Sequence, residues 1–262
     1  MPDLCPTRKN ARFNSLLCIS LLIFAAALAF RLLKMALDPT LGRDSTLYLA
    51  WAKSWFETGN YHFYGLDNIV RTPPLMPWAI KTVMASGFSA EVAGRAISLF
   101  LGSLIPVAGF LFALKISRNI RIALLAAVLL VIHPDLVSYS IQPQRENLYL
   151  LFGAILLILA ADAVRNDSTL EWGVCGGMLS LALFCRQEAL EFAILVPLVL
   201  LLLCCFKKIS LKQAFARSAV FLVSFALVFL LMLSFVDFDY EFFFIPWKIF
   251  ALLDRALQAL HW

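Results

Sequence analysis

Charged side chains are scarce in this sequence. Asp, Glu, Lys and Arg make up 15% of its 262 residues, whereas hydrophobic residues make up 62%. A soluble domain is usually about one quarter charged and about half apolar. The composition therefore excludes an ordinary soluble fold and indicates a polytopic membrane protein. The net charge of +5 predicts no nucleic-acid partner, because membrane proteins concentrate Lys and Arg in cytoplasmic loops.

Ligand-binding motifs are also absent from the sequence. It has no phosphate loop, no dinucleotide fingerprint and no zinc-ligand spacing, so we expect no cofactor and no metal. Most of the six cysteines fall in or beside apolar segments, which predicts small buried residues and no disulfide framework. They are Cys5, Cys18, Cys175, Cys185, Cys204 and Cys205.

Long apolar runs, in contrast, are abundant. A helix needs about 20 apolar residues to cross a bilayer, and seven runs approach that length. They predict an all-α bundle with spans at 13–33, 95–116, 120–132, 148–164, 172–184, 190–206 and 215–236. We interpret 1–236 as one transmembrane module and 237–262 as an interfacial tail. The segment 79–88 contains Lys81 and is short, so we expect a surface or re-entrant helix there.

The positions of the basic residues predict the orientation. If the N-terminus is inside, the basic clusters at 115–121 and 207–217 fall in cytoplasmic loops. Short cytoplasmic loops are where membrane proteins carry an excess of Lys and Arg. The first span has no small-residue cleavage site after it, so it is interpreted as retained. We therefore expect a multi-pass protein of a bacterial inner membrane, with its C-terminus outside and a first outer loop at about 34–94.

One stretch of that loop, 43–59, is typical of an amphipathic helix. Asp44 or Ser45 can cap its start, and Gly59 can end it. Tyr48 and Trp55 belong to an aromatic face at helical spacing, which predicts a helix lying along the membrane surface with its rings among the headgroups. A carboxylate held at that level can accept a proton from a substrate hydroxyl, although Asp44 can equally be only a helix cap.

Further ionisable and polar residues gather on the predicted outer side. Such groups are costly to bury, so they tend to pair or to bind a ligand. The Arg145–Glu146 and Arg186–Glu188 neighbours can be structural ion pairs, and Lys81 can extend to the headgroups. The candidate substrate-binding residues are Arg71, Lys81, Tyr139, Arg145, Glu146, Arg186 and Glu188.

The order of these pieces resembles one family of membrane enzymes. Asp44 opens an aromatic helix, the motif 71–77 reads Arg-Thr-Pro-Pro-Leu-Met-Pro, and Gly94-Arg95 precedes the second span. Tyr139-Ser140 is followed by Glu146, and Arg186 ends a short span. This pattern, over about 13–206, is similar to the GT-C glycosyltransferases, in the branch of protein O-mannosyltransferases and lipid A aminoarabinose transferases. The family often has Asp-Glu where this chain has Asp44-Ser45.

The resemblance implies a GT-C-like module and an inverting sugar transfer on the outer side of the membrane. The donor would be a hexose or pentose on polyprenyl phosphate, and the acceptor a glycan, lipid or protein hydroxyl. Asp44 would act as general base, and Arg71, Lys81, Arg145 or Arg186 would stabilise the leaving phosphate. No metal is expected in this branch.

Two other functions compete with the enzyme. The chain is shorter than typical members of the branch and lacks the second carboxylate, which favours a catalytically silent scaffold or carrier-lipid-binding subunit. A transporter of a lipid-linked sugar would show a polar site at the membrane midplane and internal repeats. The sequence has few polar groups in its central spans and no convincing repeat.

Overall fold

The computed structural model describes residues 6–59, 61, 73–166 and 168–235. Arg71 and the predicted interfacial tail lie outside these residues. The described part is all-α, as predicted, and contains no strand. Its helices are α1 (Pro6–Leu37), α2 (Arg43–Thr58), α3 (Leu75–Met84), α4 (Ala90–Ser117), α5 (Ile120–Ile132), α6 (Pro134–Ile141), α7 (Glu146–Asn166), α8 (Thr169–Leu183), α9 (Leu190–Cys205) and α10 (Leu211–Phe235).

Five segments of the described chain are long and apolar enough to cross a membrane. They are Asn14–Leu37, Ala90–Ser117, Glu146–Asn166, Gln187–Cys205 and Leu211–Ser234. Helices α5 and α6 together form a sixth segment if they count as one span, which is bent by 55° at His133 between them. The seventh predicted span is α8, whose 15 residues reach only about 22 Å at about 1.5 Å per residue.

Side-chain contacts define two ends of the bundle. At one end Arg186 pairs with Glu146, joining the α8–α9 junction to the start of α7. At the other end Lys115 pairs with Asp162, joining the last turn of α4 to the last part of α7. Helix α8 begins three residues after the last residue of α7 and returns to the first end of the bundle. At that end the N–H of Leu75 donates to the carbonyl of Phe184 at 3.3 Å. The basic residues 115–121 therefore lie at the end opposite to Arg186.

Helix α2 is packed into the protein along its aromatic face. Tyr48, Trp51 and Trp55 are all buried, and both tryptophan rings contact the ring of Tyr61. The predicted helical face is thus confirmed, but the prediction that its rings lie among headgroups is wrong. The rings are covered by other residues of the protein, among them Tyr61, so protein packing satisfies the face that the membrane was expected to cover.

The two ends of α2 differ in how well the sequence predicted them. Gly59 ends the helix with φ 79°, in the left-handed region that glycine favours. At the start the N-cap is Gly42, and no side chain caps the first turn. Asp44 lies inside that turn, so the prediction that Asp44 or Ser45 is the cap is wrong.

Helix α3 starts earlier than the predicted segment 79–88. It begins at Leu75, directly after Pro73-Pro74, because a proline's fixed φ suits the start of a helix and its missing N–H has no partner to lose there. Its 10 residues span about 15 Å, which is too short to cross a bilayer. Met76 and Ile80 are buried, so one face of α3 packs on the protein.

The cysteines divide by position. All five that the structure describes are free. Cys175 and Cys185 are buried, as predicted, but Cys18 and Cys205 are exposed. The prediction of a buried role is therefore wrong for these two, which lie on spans α1 and α9, where an apolar sulfur can face lipid at little cost.

Helices α8 and α10 approach each other closely at Gly176. A Cβ atom added to Gly176 would lie 2.1 Å from the carbonyl oxygen of Phe221 and 2.9 Å from the backbone nitrogen of Phe225. One turn later, the hydroxyl of Ser180 donates to the carbonyl of Phe225 at 2.6 Å. Small residues four apart are a common means of bringing membrane helices together. This contact holds α10 against the rest of the bundle.

Gly176→Ala should therefore weaken the fold. The methyl group meets backbone atoms, which cannot move without separating the two helices, so we expect a lower melting temperature in detergent. Gly153→Ala is the matched control, because nothing lies within 4 Å of its added Cβ. Replacing a mid-helix glycine there should be neutral or stabilise by up to about 1 kcal/mol. Equal melting temperatures for the two variants would contradict the close approach.

The orientation is testable with single cysteines in a background lacking the native ones. Thr46 and Asn119 are both exposed, and they belong to opposite ends of the bundle. A membrane-impermeant thiol reagent added outside intact cells should label Thr46→Cys and leave Asn119→Cys unlabelled until the cells are opened. Labelling of both positions from the same side would exclude the seven-crossing topology.

Candidate functional site

The start of α2 presents Asp44 at the end of the bundle that holds Arg186. Asp44 lies in the first turn, is exposed, and makes no hydrogen bond or ion pair with the described residues. The unpaired N–H groups of a first turn and the helix dipole favour a negative charge at that position. The carboxylate is thus free to contact a ligand.

Arg95 holds the chain that leads into α2. Its Nη2 donates to the carbonyl of Pro39 at 2.6 Å, and its Nη1 donates to the carbonyl of Ile141 at 3.4 Å. Its Nε donates to Glu91 at 2.9 Å, which fixes the direction of the guanidinium group. One arginine at the start of α4 therefore ties the α1–α2 connection to the end of α6.

Four of the predicted site residues form one ionic network. Arg186 donates through Nη1 to Glu146 at 3.2 Å, and through Nε and Nη2 to the two oxygens of Glu188 at 3.3 Å and 3.1 Å. The Nε of Arg145 lies 3.7 Å from the same Glu146 oxygen. Both predicted ion pairs are confirmed, and the structure adds the contact between Arg186 and Glu146, which are 40 positions apart.

The ionic network leaves some N–H groups of its arginines without a hydrogen bond to a carboxylate. A guanidinium group has five N–H donors, and Arg186 uses three of them on carboxylates. The Nε of Arg145 is buried and has no hydrogen-bond partner. Hydrogen bonding to Glu188 raises the pKa of Arg186, although burial opposes it. Arg186 therefore keeps N–H groups that no carboxylate of the network uses.

Tyr48 lies between Asp44 and this network. It is 3% exposed and one helical turn after Asp44 on the same face of α2. Burial raises the pKa of Tyr48, the charge of Arg145 lowers it, and the charges of Glu146 and Asp44 raise it further. The carboxylate of Asp44 and the Arg145–Glu146 pair thus act on a common neighbour.

Two other predicted site residues lie apart from this group. The Nζ of Lys81 is 4.5 Å from the ring centroid of Trp55, near the end of α2 and roughly 16 Å along its axis from Asp44. Burial lowers the pKa of Lys81. The hydroxyl of Tyr139 makes no hydrogen bond with described residues, and its carbonyl accepts from Asn147 at 2.7 Å.

Sequence reasoning did not select Tyr149, which touches the network. Its ring centroid is 5.5 Å from the Cζ atom of Arg186, a cation–π contact. Tyr149 is three residues after Glu146 on α7, so helical spacing alone would have placed both side chains on one face. No group of three or more His, Cys, Asp or Glu residues gathers in the described part of the chain to form a metal site.

The fold and this site define a class of protein. A helical membrane bundle presents an exposed carboxylate and an arginine network at one end. Residues 71–251 match the family model described as dolichyl-phosphate-mannose-protein mannosyltransferase, and the chain belongs to that family. It is therefore an integral membrane glycosyltransferase of GT-C type. No curated protein is similar enough to the chain to count as a match.

The match covers the network but not the start of α2. Arg145, Glu146, Arg186 and Glu188 all fall within 71–251, whereas Asp44 precedes it. The match also runs past 206, where the predicted resemblance ended, and into the tail. The family match therefore does not bear on the role of Asp44.

Proposed function

We propose that this protein transfers a sugar from a polyprenyl-phosphate donor to an acceptor hydroxyl on the outer side of the membrane. The observation that supports this most directly is the position of Asp44, a carboxylate that pairs with no described residue and lies at the same end of the bundle as the arginine network, one turn from Tyr48. A base and a phosphate-binding group are the two parts that such a transfer needs. Family membership supports a lipid-linked donor, since the family's description names dolichyl-phosphate-mannose.

The proposed reaction is a single displacement at the anomeric carbon. The acceptor oxygen forms a bond to that carbon while the bond between the carbon and the phosphate oxygen breaks. The proton of the acceptor hydroxyl passes to Asp44, and polyprenyl phosphate leaves with the bonding electron pair. Attack from the side opposite to the leaving group inverts the configuration. A carboxylate is a weak base, but it suffices when the leaving group is already an anion and proton transfer is late.

Arg145 and Arg186 are the proposed phosphate ligands. Glu146 and Glu188 hold the guanidinium of Arg186 in a fixed direction, and preorganised donors stabilise developing charge most effectively. The two carboxylates also balance the positive charge before the donor arrives. Lys81, on α3 beside Trp55 near the end of α2, lies too far from Asp44 to act with these arginines. Its proposed contact is with headgroups or with the donor's sugar.

A catalytically silent scaffold is the second candidate, and Ser45 is the observation that favours it. The second acidic residue common in the family is replaced here by a buried serine. A scaffold would bind the carrier lipid through the same network without transferring the sugar. The two functions therefore differ in what Asp44 does, not in what Arg186 does.

Arg186→Ala should weaken donor binding more than Arg186→Lys does. A lysine keeps the charge but cannot form the planar two-point contact that a guanidinium makes with phosphate. We expect KM for the donor, or the dissociation constant of polyprenyl monophosphate, to rise in both variants. Arg165→Ala is the control, since Arg165 is exposed near the opposite end of the bundle. Unchanged donor affinity in both Arg186 variants would leave Arg186 with a structural role only.

Asp44→Asn should abolish transfer without affecting folding. Asparagine keeps the shape of the side chain but cannot accept the proton, and loss of a positioned base costs on the order of 10²–10⁴ in rate. Because Asp44 makes no capping hydrogen bond, Asp44→Ala should reduce stability by no more than about 1 kcal/mol. The assay is transfer of radiolabelled sugar from polyprenyl phosphate in membranes.

Asp135→Asn provides the matched control, since Asp135 is an exposed carboxylate in the first turn of α6. That variant should transfer sugar at the wild-type rate. Rapid transfer by a well-folded Asp44→Asn protein would show that Asp44 is not the base. Absence of transfer by the wild type, together with normal binding of polyprenyl phosphate, would favour the scaffold.

A further inference from the structure

The start of α2 is held by a residue 100 positions away in the sequence. Helices α4, α5 and α8 each begin with a local side-chain cap, from Ser89, Asn119 and Ser168 respectively. Helix α2 has Gly42 at the capping position and therefore no capping side chain. Its first turn must be fixed by some other contact, because an uncapped helix start is free to fray.

Gln142 makes that contact. Its Oε1 atom accepts a hydrogen bond from the backbone N–H of Gly42 at 3.1 Å and another from the hydroxyl of Ser45 at 3.2 Å. The amide of Gln144 adds a longer bond to the same oxygen at 3.4 Å. A backbone N–H can only donate, so the atom of Gln142 that faces Gly42 must be its oxygen. One amide oxygen thus binds Gly42 and Ser45, the residues that flank Asp44's place in the first turn.

The local sequence fits this contact closely. A Cβ atom added to Gly42 would lie 2.7 Å from the Oε1 of Gln142. The φ of Gly42 is −72°, which any residue can adopt, so the glycine is required for space and not for backbone freedom. Ser45 is fully buried and points its hydroxyl at the same oxygen. A larger side chain at either position would displace Gln142.

Arg95 holds the backbone of the two chain segments that the Gln142 contact joins, but it takes no part in that contact. It binds the carbonyls of Pro39 and Ile141, which keeps the two chain segments adjacent. The side chain of Gln142 sets the position of the first turn of α2, because among the described residues it is the one from another part of the chain that hydrogen-bonds to that turn or its cap.

We propose that Gln142 is a positioning residue that fixes Asp44 for proton transfer by holding Gly42 and Ser45. The inference depends on the function proposed above for Asp44. Gln142 does not touch the reacting atoms, and it acts through the first turn of α2. Because an error of about 1 Å in the position of a catalytic group can cost up to 10²-fold in rate, loss of the contact should lower kcat while leaving donor binding at the arginine network intact.

The test compares three variants of the full-length protein. Gln142→Met keeps the length of the side chain but removes the acceptor oxygen. Gln142→Glu keeps an acceptor oxygen, and a carboxylate accepts hydrogen bonds from N–H and O–H donors at least as strongly. Gln213→Met is the control, since the Oε1 of Gln213 also accepts a backbone N–H, that of Ser210 at 2.8 Å, but at the start of α10.

Two measurements separate positioning from general stability. Hydrogen–deuterium exchange at the amide of Gly42 should become at least several-fold faster in Gln142→Met, and should be near wild type in Gln142→Glu and Gln213→Met. In sugar-transfer assays kcat should fall on the order of 10-fold in Gln142→Met, with KM for the donor unchanged. It should recover in Gln142→Glu.

Wild-type exchange at Gly42 in Gln142→Met would overturn the inference, and so would faster exchange with unchanged kcat. If the wild-type protein transfers no sugar, the proposed function fails. The exchange measurement then still decides whether Gln142 holds the start of α2, so the two failures are distinguishable.

Discussion

The contact between Arg186 and Glu146 is the interaction on which the arrangement of the site depends. It joins the α8–α9 junction to the first residue of α7, and Glu146 also attracts Arg145. Two like charges are thereby held close together with a carboxylate between them, which offsets their repulsion. Removing one partner from a partly buried pair leaves the other without compensation. The network therefore restricts both the charge of the site and the spacing of two chain segments, the start of α7 and the α8–α9 junction.

Helix α2 completes the site because its packed face and its first turn have different tasks. The packed face, with Tyr48 and Trp55, contacts the protein and supplies the free energy that keeps the helix in place. The first turn carries Asp44, which is exposed and pairs with no described residue. The serine at position 45 belongs to the buried side, where a carboxylate without a cation partner would be costly. Ser45, which stands where the family often has Glu, therefore suits a helix whose start is held by hydrogen bonds.

Much of the fold was predictable because its signals are local. The apolar runs located the spans, Gly59 located the end of α2, and adjacent residues such as Arg186 and Glu188 were correctly paired. The errors share a physical cause, which is that long-range contacts leave no local pattern. Neither the bond between Arg186 and Glu146 nor the packing of Trp51 against Tyr61 follows from sequence spacing. Asp44 was assigned as a cap because its residue type suits that position, whereas tertiary contacts made capping at Gly42 unnecessary.

The shortness of α8 has a consequence for the lipid around it. The helix has 15 residues, about 22 Å, whereas the hydrocarbon core of a bilayer is about 30 Å thick. Exposed Leu170 and Val174 on α8 face outward, and Ser168 and Arg186 flank the helix with polar groups. Such hydrophobic mismatch is relieved by local thinning of the bilayer or by flanking polar residues that reach the headgroups. Thinning beside α8 would draw the headgroup layer toward Arg186, so the guanidinium group would lie level with the phosphates of the surrounding lipids.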